Sequence, residues 1–261
     1  YPADHFEVIV SDNGSTDGTP GMVQADFPRV KLVPLGLNRG FAAANNTGIG
    51  LSSGKFILLL NPDTEVGFTS VSRTVRFLEN HPDVAIAGCR LILPDGKVQQ
   101  SVRSFPSVWG VFAEAFFLSI LFWNSRLLGR YYMGFFDYGS SSPVDWLSGA
   151  FFMIRREVIE RVGMLDERFF MYSEELDLCR RVKEAGWKIV YLPEAQVVHY
   201  VGKSSDQAVV ARHIYFQTSK VHYFRKWQGA FRANLLRMFL LGSYVWQIGL
   251  ESLKGLLGSK R

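Results

Sequence analysis

The feature that most constrains this chain is the apolar run Phe56–Leu60, which stops at Asn61, Pro62 and Asp63. An apolar run without alternation predicts a strand that is buried on both faces, as in a parallel sheet with helices above and below it. Proline ends the strand, because it cannot donate to a sheet ladder. Ligands of open α/β sheets bind at the carboxyl edge, so Asp63 could hold a divalent cation there with phosphate oxygens. The alternative is that Asn61 and Asp63 only form a turn.

The length of 261 residues predicts one large α/β domain, or a domain with an appendage. A hydrophobic content of 48% supports a sizeable core, and a charged content of 20% argues against disorder. The net charge of +5 indicates an anionic partner, which could be nucleic acid, a membrane surface or a phosphorylated substrate. Two cysteines offer no disulfide framework, which favours a reducing compartment.

Polar groups also follow two other predicted strands. An apolar strand over residues 6–11 ends at Asp12, whose carboxylate could accept hydrogen bonds from a nucleobase or a sugar. After a short second strand, a loop with Asn38 and Gly40 opens a small-residue helix that contains Asn45. The exposed amide groups at the start of that helix could face a diphosphate. Tight packing of the helix on the sheet is the alternative.

Three residues near later strands are candidates for ligand contact. Trp146 and Gly149 fall at the entrance of a predicted strand, where the indole ring could stack on a sugar or pack in the core. Alternation over residues 197–200 predicts an edge strand that carries His199. A structural role is the alternative for this histidine.

Acidic residues crowd the start of one predicted helix. Ser173 is expected to be its N-cap, and Gly186 is a natural stop after its last turn. Glu174, Glu175 and Asp177 then lie in the first turn. Capping electrostatics alone could explain three acids at this position, because carboxylates stabilise the start of a helix.

Together and in this order, these segments resemble glycosyltransferase family 2, whose inverting enzymes have an A-type nucleotide-sugar-binding fold. The resemblance implies an α/β fold with a mostly parallel, Rossmann-like sheet flanked by helices, and it runs from about residue 6 to residue 205. Four segments carry it: residues 12–19 match DNGSTDGT, the loop that begins at Asn38 matches NxGfaaaxN, residues 60–63 match the DxD motif, and residues 172–181 match (Y)xEDxDxxxR with Glu175 in place of its first Asp. With Asn61 in place of the first Asp, the DxD segment is similar to the rhamnosyltransferase branch, which builds bacterial surface polysaccharides.

The resemblance implies a donor site at the first three motifs. Asp12 would hydrogen-bond the base of a uridine or thymidine nucleotide, and Asn38, Gly40 and Asn45 would belong to the same donor site. Asn61 carries no charge, so it would touch the ribose or a metal-bound water and leave the metal with one fewer anionic ligand.

The resemblance also implies a metal and a base. Asp63 and His199 would ligate Mg²⁺ or Mn²⁺ that bridges the diphosphate. Glu175 would be the general base that deprotonates the acceptor hydroxyl opposite the leaving diphosphate, so that the anomeric centre inverts. Four further residues would contact the acceptor: Trp146, Gly149, Glu174 and Asp177.

The chain is expected to comprise a catalytic domain over residues 1–210 and a basic, amphipathic helical tail over residues 211–261. The domain would contain a nucleotide-sugar half (1–104), an aromatic insertion (105–143) and an acceptor and base half (144–210). The insertion either leans on a membrane or covers the acceptor cleft. The tail, with only 13 uncharged residues between Arg237 and Glu251, either lies on a membrane surface or packs on the domain.

We therefore expect a metal-dependent inverting glycosyltransferase, peripheral to the cytoplasmic face of the cell membrane and without a nucleic-acid partner. It would move a sugar, such as rhamnose, from a nucleotide-diphosphate donor to a hydroxyl of a lipid-linked glycan. A non-catalytic nucleotide-sugar-binding or scaffold protein is the alternative from another class. A dinucleotide oxidoreductase is disfavoured, because no glycine fingerprint follows a first strand.

The family pattern has one more strand upstream of residue 6, which the resemblance places between the strands that end at Asp12 and Asp63. Without it, both neighbours would carry unpaired backbone groups, each costing about 1–3 kcal/mol when buried. We expect the chain without that strand to be unstable and nearly inactive.

Overall fold

The computed structural model describes residues 5–115, 121–122, 124–125, 129–201, 209–256 and 258. The chain divides into two compact units. The first unit comprises Tyr1–Arg103 and Asp137–Ser219, and the second comprises Ser104–Phe136 and Lys220–Arg261. Most of the aromatic insertion and most of the tail therefore belong to one unit, separate from the segments that carry the site motifs.

The strands along the described residues are β1 (Ile9–Asp12), β2 (Lys31–Pro34), β3 (Phe56–Leu60), β4 (Thr64–Val66), β5 (Val84–Ile92), β6 (Val102–Arg103), β7 (Ser142–Pro143), β8 (Trp146–Leu147), β9 (Phe151–Arg155) and β10 (Lys188–His199). The helices are α1 (Thr19–Asp26), α2 (Phe41–Leu51), α3 (Ser70–Asn80), α4 (Val108–Ala115), α5 (Arg156–Val162), α6 (Glu174–Glu184) and α7 (Val209–Leu256).

The main sheet of the first unit has the strand order β3-β9-β5-β10-β4, with β7 also paired to β10. Only β5 and β10 run parallel within it, and the other pairs are antiparallel. The sheet is therefore mixed, whereas the resemblance implied a mostly parallel one. An apolar run reports burial on both faces and not strand direction, which is why the completely buried β9 could be taken for a parallel strand.

The centre of the sheet is formed by β5, β9 and β10, whose buried side chains make up most of the hydrophobic core. The prediction of an edge strand at His199 is wrong. The last residues of β10 pair with β4 on one side and with β5 on the other, with His199 opposite Thr64 and Val198 opposite Ile92. His199 is therefore held in the interior of the sheet, at its carboxyl end.

The strands β1 and β2 form a separate parallel pair, in which Asp12 lies opposite Pro34. In the described part of the chain, β1 pairs only with β2, and β3 pairs only with β9. Val8, just before β1, and Leu60, at the end of β3, are 41% and 42% exposed. The expected strand between β1 and β3 stays a prediction.

In the second unit, the insertion packs on the tail. Lys220 donates to both carboxylate oxygens of Glu114 at 2.9 Å, and the rings of Phe112 and Phe239 lie 5.4 Å apart. The long helix α7 is interrupted at Gly229, whose φ of 87° is not helical. Three aromatic residues of the insertion, Phe116, Phe117 and Trp123, lie outside the described residues, and so do residues 202–205. None of the helices in the described ranges is both long and apolar enough to cross a bilayer.

Candidate functional site

The carboxylate of Asp12 lies at the end of β1, as predicted. The residue is 7% exposed, and the backbone N–H of Ser15 donates to both of its oxygens at 3.3 Å. These bonds are long, so they hold the turn after the strand without using the whole accepting capacity of the carboxylate. Asp12 therefore both shapes the turn and keeps lone pairs for a ligand.

The turn after β1 is joined to the loop before α2 by side-chain hydrogen bonds. Asn13 donates to the side-chain oxygen of Asn38 at 2.9 Å and accepts from the backbone N–H of Arg39 at 2.8 Å. The same oxygen of Asn38 accepts the N–H of Gly40 at 3.0 Å. The side-chain oxygen of Asn38 thus fixes the conformation of the loop before α2.

Gly40 is required by two features of its backbone. Its φ of 90° lies in the left-handed region that glycine favours, and an added Cβ would come within 2.4 Å of the carbonyl oxygen of Phe170. That oxygen already accepts the N–H of Phe41 at 2.7 Å. One of the helix-start amides proposed for a diphosphate is therefore occupied, and the loop before α2 packs directly on the segment that leads to Glu174 and Glu175.

Asn45 lies in the second turn of α2, where its side-chain amide donates to the carbonyl of Phe41 at 2.9 Å. This bond keeps the side chain against its own helix. Asn61 follows β3, and its backbone N–H donates to the carbonyl of Ala150 at 3.1 Å. The end of β3 is thereby tied to the segment around Gly149.

Asp63 and His199 are brought together, although 135 residues separate them in sequence. Oδ1 of Asp63 lies 3.3 Å from Nε2 of His199, and both side chains are largely buried, with 14% and 8% exposed. The backbone N–H of Tyr200 donates to the carbonyl of Asp63 at 2.9 Å, which holds the two segments in register. A carboxylate and an imidazole nitrogen are suitable ligands for Mn²⁺.

The donor atoms of this pair fit a divalent cation only in part. Across the described residues, no three His, Cys, Asp or Glu side chains are grouped as a metal site. Asp63 and His199 would supply two ligands, and the remaining positions of a six-coordinate ion would be filled by diphosphate oxygens and water. An ion held this way would bind tightly only together with the nucleotide.

The acidic helix α6 begins after two residues in the left-handed region, Tyr172 (φ 70°) and Ser173 (φ 69°). Ser173 occupies the predicted N-cap position, but its side chain makes no capping hydrogen bond. Gly186 follows the end of the helix with a φ of 88°, as predicted. The start of α6 is therefore set by the incoming loop and not by a serine cap.

Glu174 and Glu175 are both shielded from solvent at their Oε2 atoms, which have no hydrogen-bond partner in the described structure. Burial raises the pKa of Glu175 from its ordinary value of 4.5 to about 7, and the nearby backbone N–H groups of Leu176 and Gly149 offset part of the effect. Burial, and then repulsion from Glu175, also raises the pKa of Glu174. A carboxyl group with a pKa near 7 suits general-base catalysis near neutral pH.

Asp177 is buried completely, and its Oδ2 accepts from Nε of Arg181 at 3.0 Å. Arg181 in turn donates to the carbonyls of Val162 at 2.6 Å and Met164 at 2.7 Å. This network joins α6 to the end of α5. In this conformation Asp177 supports the helix, and an acceptor contact by its side chain stays a prediction that the geometry does not favour.

Gly149 and Trp146 lie beside the acidic helix. The backbone of Gly149 contacts the carboxyl group of Glu175, and an added Cβ at Gly149 would meet only the ring of Phe41, at 3.9 Å. Trp146 is half-buried on β8, opposite Arg103 of β6. A small side chain at Gly149 would therefore find open space and not a tightly packed contact.

Two parts of the site were missed by sequence reasoning. Gln99 contacts Nδ1 of His199 at 2.8 Å, and Phe170 accepts the N–H of Phe41. The Pro-Asp-Gly sequence at residues 94–96 is typical of a hairpin turn, and this signal could have placed Gln99 opposite Leu91 of β5, beside the end of β10. No local signal marks Phe170, because its contribution comes from its backbone carbonyl.

Comparisons with known proteins identify relatives of this chain. The chain is 34% identical over 213 residues to the N-acetylglucosaminyl-diphospho-decaprenol L-rhamnosyltransferase of Mycobacterium tuberculosis, covering 77% of this chain and 68% of that protein. It is 28% identical over 206 residues to the rhamnosyltransferase WbbL of Escherichia coli, covering 76% and 74%.

A solved structure supports the fold assignment. The mannosyltransferase PcManGT from Pyrobaculum calidifontis, in complex with GDP-Man and Mn²⁺, matches with a TM-score of 0.55 at 17% identity, over 100% of this chain and 73% of that one. At this level of identity, the match concerns the A-type glycosyltransferase fold alone. The model of the family described as glycosyl transferase family 2 matches residues 1–163. The chain therefore belongs to glycosyl transferase family 2, and its enzyme class is that of a glycosyltransferase.

Proposed function

We propose that this glycosyltransferase moves a sugar, with rhamnose as the first candidate, from a nucleotide-diphosphate donor to a hydroxyl of a lipid-linked glycan in surface polysaccharide synthesis. The observation that carries the proposal is the shielded carboxyl group of Glu175, which has a pKa of about 7 and lies beside the open position at Gly149. Rhamnosyltransferases among the relatives support the sugar, and the decaprenol-linked substrate in the name of one of them supports the acceptor class.

The donor would lie between the ends of β1 and β3. Asp12 would accept hydrogen bonds from the base, while the loop fixed by Asn38 and Gly40 would line the donor pocket. Asp63 and His199 would hold Mg²⁺ or Mn²⁺ against the diphosphate. When bound, such an ion neutralises the negative charge that develops on the leaving diphosphate. The Mn²⁺ complex of the structurally similar mannosyltransferase supports this choice of metal.

Glu175 would accept the proton of the acceptor hydroxyl as that oxygen attacks the anomeric carbon. The new carbon–oxygen bond forms while the bond to the diphosphate breaks, so the nucleoside diphosphate leaves and the configuration inverts. Two hydrogen-bonded connections support a common site for the base and the metal ligands. Asn61 is bonded to Ala150, and the preceding residue Gly149 contacts Glu175.

The test incubates full-length protein with a polyprenyl-diphosphate-linked N-acetylglucosamine and, in turn, with dTDP-rhamnose, UDP-N-acetylglucosamine and GDP-mannose. Mass spectrometry of the lipid fraction should show one added sugar from one donor, and NMR of the product should show inversion. The Glu175→Gln variant serves as the control for contaminating enzymes. Donor binding without transfer or donor hydrolysis would instead support the non-catalytic nucleotide-sugar-binding alternative.

We also propose that the tail places the enzyme on the cytoplasmic face of the cell membrane, with an anionic lipid surface as its partner. Beyond Gly229, α7 exposes large apolar side chains at helical spacing: Phe231, Met238, Leu241, Val245 and Trp246. Arg232 and Arg237 lie among them in sequence and are exposed too. An apolar helix face with cationic flanks and a tryptophan is typical of helices that lie in the membrane interface.

Sedimentation with vesicles of phosphatidylcholine and phosphatidylglycerol tests this part of the proposal. Leu241→Glu should reduce binding by about tenfold or more, because a leucine side chain gains about 1.5–3 kcal/mol on leaving water. Gln247→Glu is the matched control, since it adds the same charge at an exposed position on the opposite face of the helix. Equal binding by the two variants would show that the apolar face does not enter the membrane.

A further inference from the structure

The backbone of Gln99 is fixed at the end of a hairpin that follows β5. The N–H of Gln99 donates to the carbonyl of Leu91 at 2.9 Å, and Ile92 and Val98 form an antiparallel bridge. Leu91 is paired with Val197 of β10. Gln99 therefore stands next to the carboxyl end of β10, where its side chain can reach His199.

The contact between Gln99 and His199 determines which ring nitrogen carries the proton. Oε1 of Gln99 lies 2.8 Å from Nδ1 of His199. A carbonyl oxygen can only accept a hydrogen bond, so Nδ1 is the donor. In the neutral imidazole, Nε2 then has a free lone pair, and it points towards Oδ1 of Asp63 at 3.3 Å.

Two acceptor atoms at this distance repel each other unless a proton or a metal cation lies between or beside them. The arrangement is therefore suited to a metal ion, since metal-bound histidines commonly donate their second ring N–H to an oxygen that fixes the orientation of the ring. Both His199 and Asp63 are largely buried, so bulk water has little access to the two acceptor atoms and cannot satisfy them as an ion would.

We propose that Gln99 is a positioning residue, which holds His199 in the Nδ1–H tautomer and aims Nε2 at the divalent cation of the donor site. This inference rests on the proposed function, because it assumes that Asp63 and His199 bind the metal. Gln99 itself touches neither the metal nor the donor.

The main experiment measures Mn²⁺ binding to the full chain in the presence of dTDP by electron paramagnetic resonance, from the loss of the free-ion signal relative to dTDP alone. Gln99→Leu removes the acceptor at nearly constant volume and should weaken Mn²⁺ binding about 10- to 100-fold. Gln99→Glu keeps an acceptor oxygen and should retain binding. Gln100→Leu is the matched control, because it makes the same change at the adjacent, half-buried glutamine. This variant should leave Mn²⁺ binding unchanged.

A second readout needs no metal. Long-range nitrogen–proton NMR of histidine-labelled protein distinguishes the two tautomers of each of the five histidines, and loss of one signal pair in His199→Gln assigns His199. The wild-type chain should show the Nδ1–H form of His199, and Gln99→Leu should show a mixture in a folded protein.

The outcomes separate this inference from the proposed function. Equal Mn²⁺ affinity of the wild type and Gln99→Leu would overturn the role of Gln99 while leaving the metal site intact. An Nε2–H tautomer in the wild type would overturn it as well. A wild-type chain that binds no Mn²⁺ even in the presence of dTDP would overturn the metal site of the proposed function, and this inference with it.

Discussion

Replacing Glu175 by Gln should lower activity and, at alkaline pH, stabilise the fold. Burial raises the pKa of this carboxyl group from 4.5 to about 7. At about 1.4 kcal/mol per pKa unit, that rise corresponds to about 3 kcal/mol. Gln is nearly the same size and stays neutral, so the variant avoids the cost of a buried charge.

The sign of the pH dependence follows from proton binding. Between pH 4.5 and about 7 the folded chain holds a proton on Glu175 that the unfolded chain has released. The free energy of unfolding of the wild type therefore falls as the pH rises through this window, and the loss is complete above about pH 8. The stability of Glu175→Gln relative to the wild type should increase by up to about 3 kcal/mol over the same range.

Urea unfolding from pH 5 to pH 8 measures this difference, with Glu184→Gln as the control. Glu184 lies on the same helix, is half-exposed and pairs with Arg180 at 2.9 Å, so its replacement should give a small difference with little pH dependence. A wild type and Glu175→Gln with parallel pH profiles would show that the carboxylate ionises freely in the folded chain. The argument for a shielded base would then be refuted.

The kinetic part of the same prediction concerns turnover. Glu175→Gln should lower turnover by about 10²-fold or more and leave donor affinity nearly unchanged. The kcat/KM of the wild type should rise with pH up to about 7 and then level off, because only the ionised carboxyl group can accept a proton. Parallel loss of donor binding and turnover would instead identify Glu175 as a structural acid.

Two further predictions concern the donor side. Gly40→Ala should lower the melting temperature and weaken donor binding, because the left-handed conformation costs about 1–2 kcal/mol and the new methyl group meets the Phe170 carbonyl at 2.4 Å. Gly36→Ala isolates the conformational cost, since Gly36 has a φ of 76° and open space around it, and an equal effect of both changes would argue against the contact. Asp63→Ala should abolish the dependence of turnover on Mn²⁺, and full activity with unchanged metal dependence would remove Asp63 from the metal site.

Much of the site could be predicted because its signals are local. An apolar run followed by turn residues placed Asp12 and Asp63 at strand ends, where both are found. The short second strand predicted before the loop with Asn38 and Gly40 is found at Lys31–Pro34. Gly186 ends α6 because the residue after the helix is in the left-handed conformation, which glycine adopts without strain from a side chain.

Pairing partners could not be predicted in the same way. The alternation over residues 197–200 predicted a short edge strand, whereas β10 runs from Lys188 to His199 and continues through Pro193. Its pairing with β5 shifts between Leu192 and Gln196, so the proline falls where no ladder bond is needed. This irregularity keeps His199 within the sheet, and no pattern in the sequence shows that β4 would pair on its other side.

The roles of the acids on α6 also required the structure. The spacing of Glu174, Glu175 and Asp177 is the same whether an acid binds a ligand, caps the helix or supports the fold. Asp177 is committed to Arg181, whereas the two glutamates keep unpartnered oxygens within the described structure. Unpartnered buried oxygens are costly for stability, which favours a role in catalysis over one in folding.

The loop that precedes Glu175, the proposed base, is held by a distant part of the chain. Tyr172 and Ser173 each hold a left-handed conformation that costs about 1–3 kcal/mol and persists only where the surroundings fix it. The first part of α7 provides that constraint: Ser219 donates to the carbonyl of Met171 at 2.8 Å, and the ring of Phe216 meets Tyr172 edge-on at 5.6 Å.

The start of the helix that the sequence assigned to a tail is therefore part of the support for Glu175. A local pattern cannot reveal this contact, because Met171 and Ser219 are 48 residues apart. The strain in the loop also explains why Ser173 does not cap α6 with its side chain, since packing from α7 already fixes the backbone there. Local periodicity predicts that α6 forms, and the contacts with α7 help to hold the loop from which its first two glutamates start.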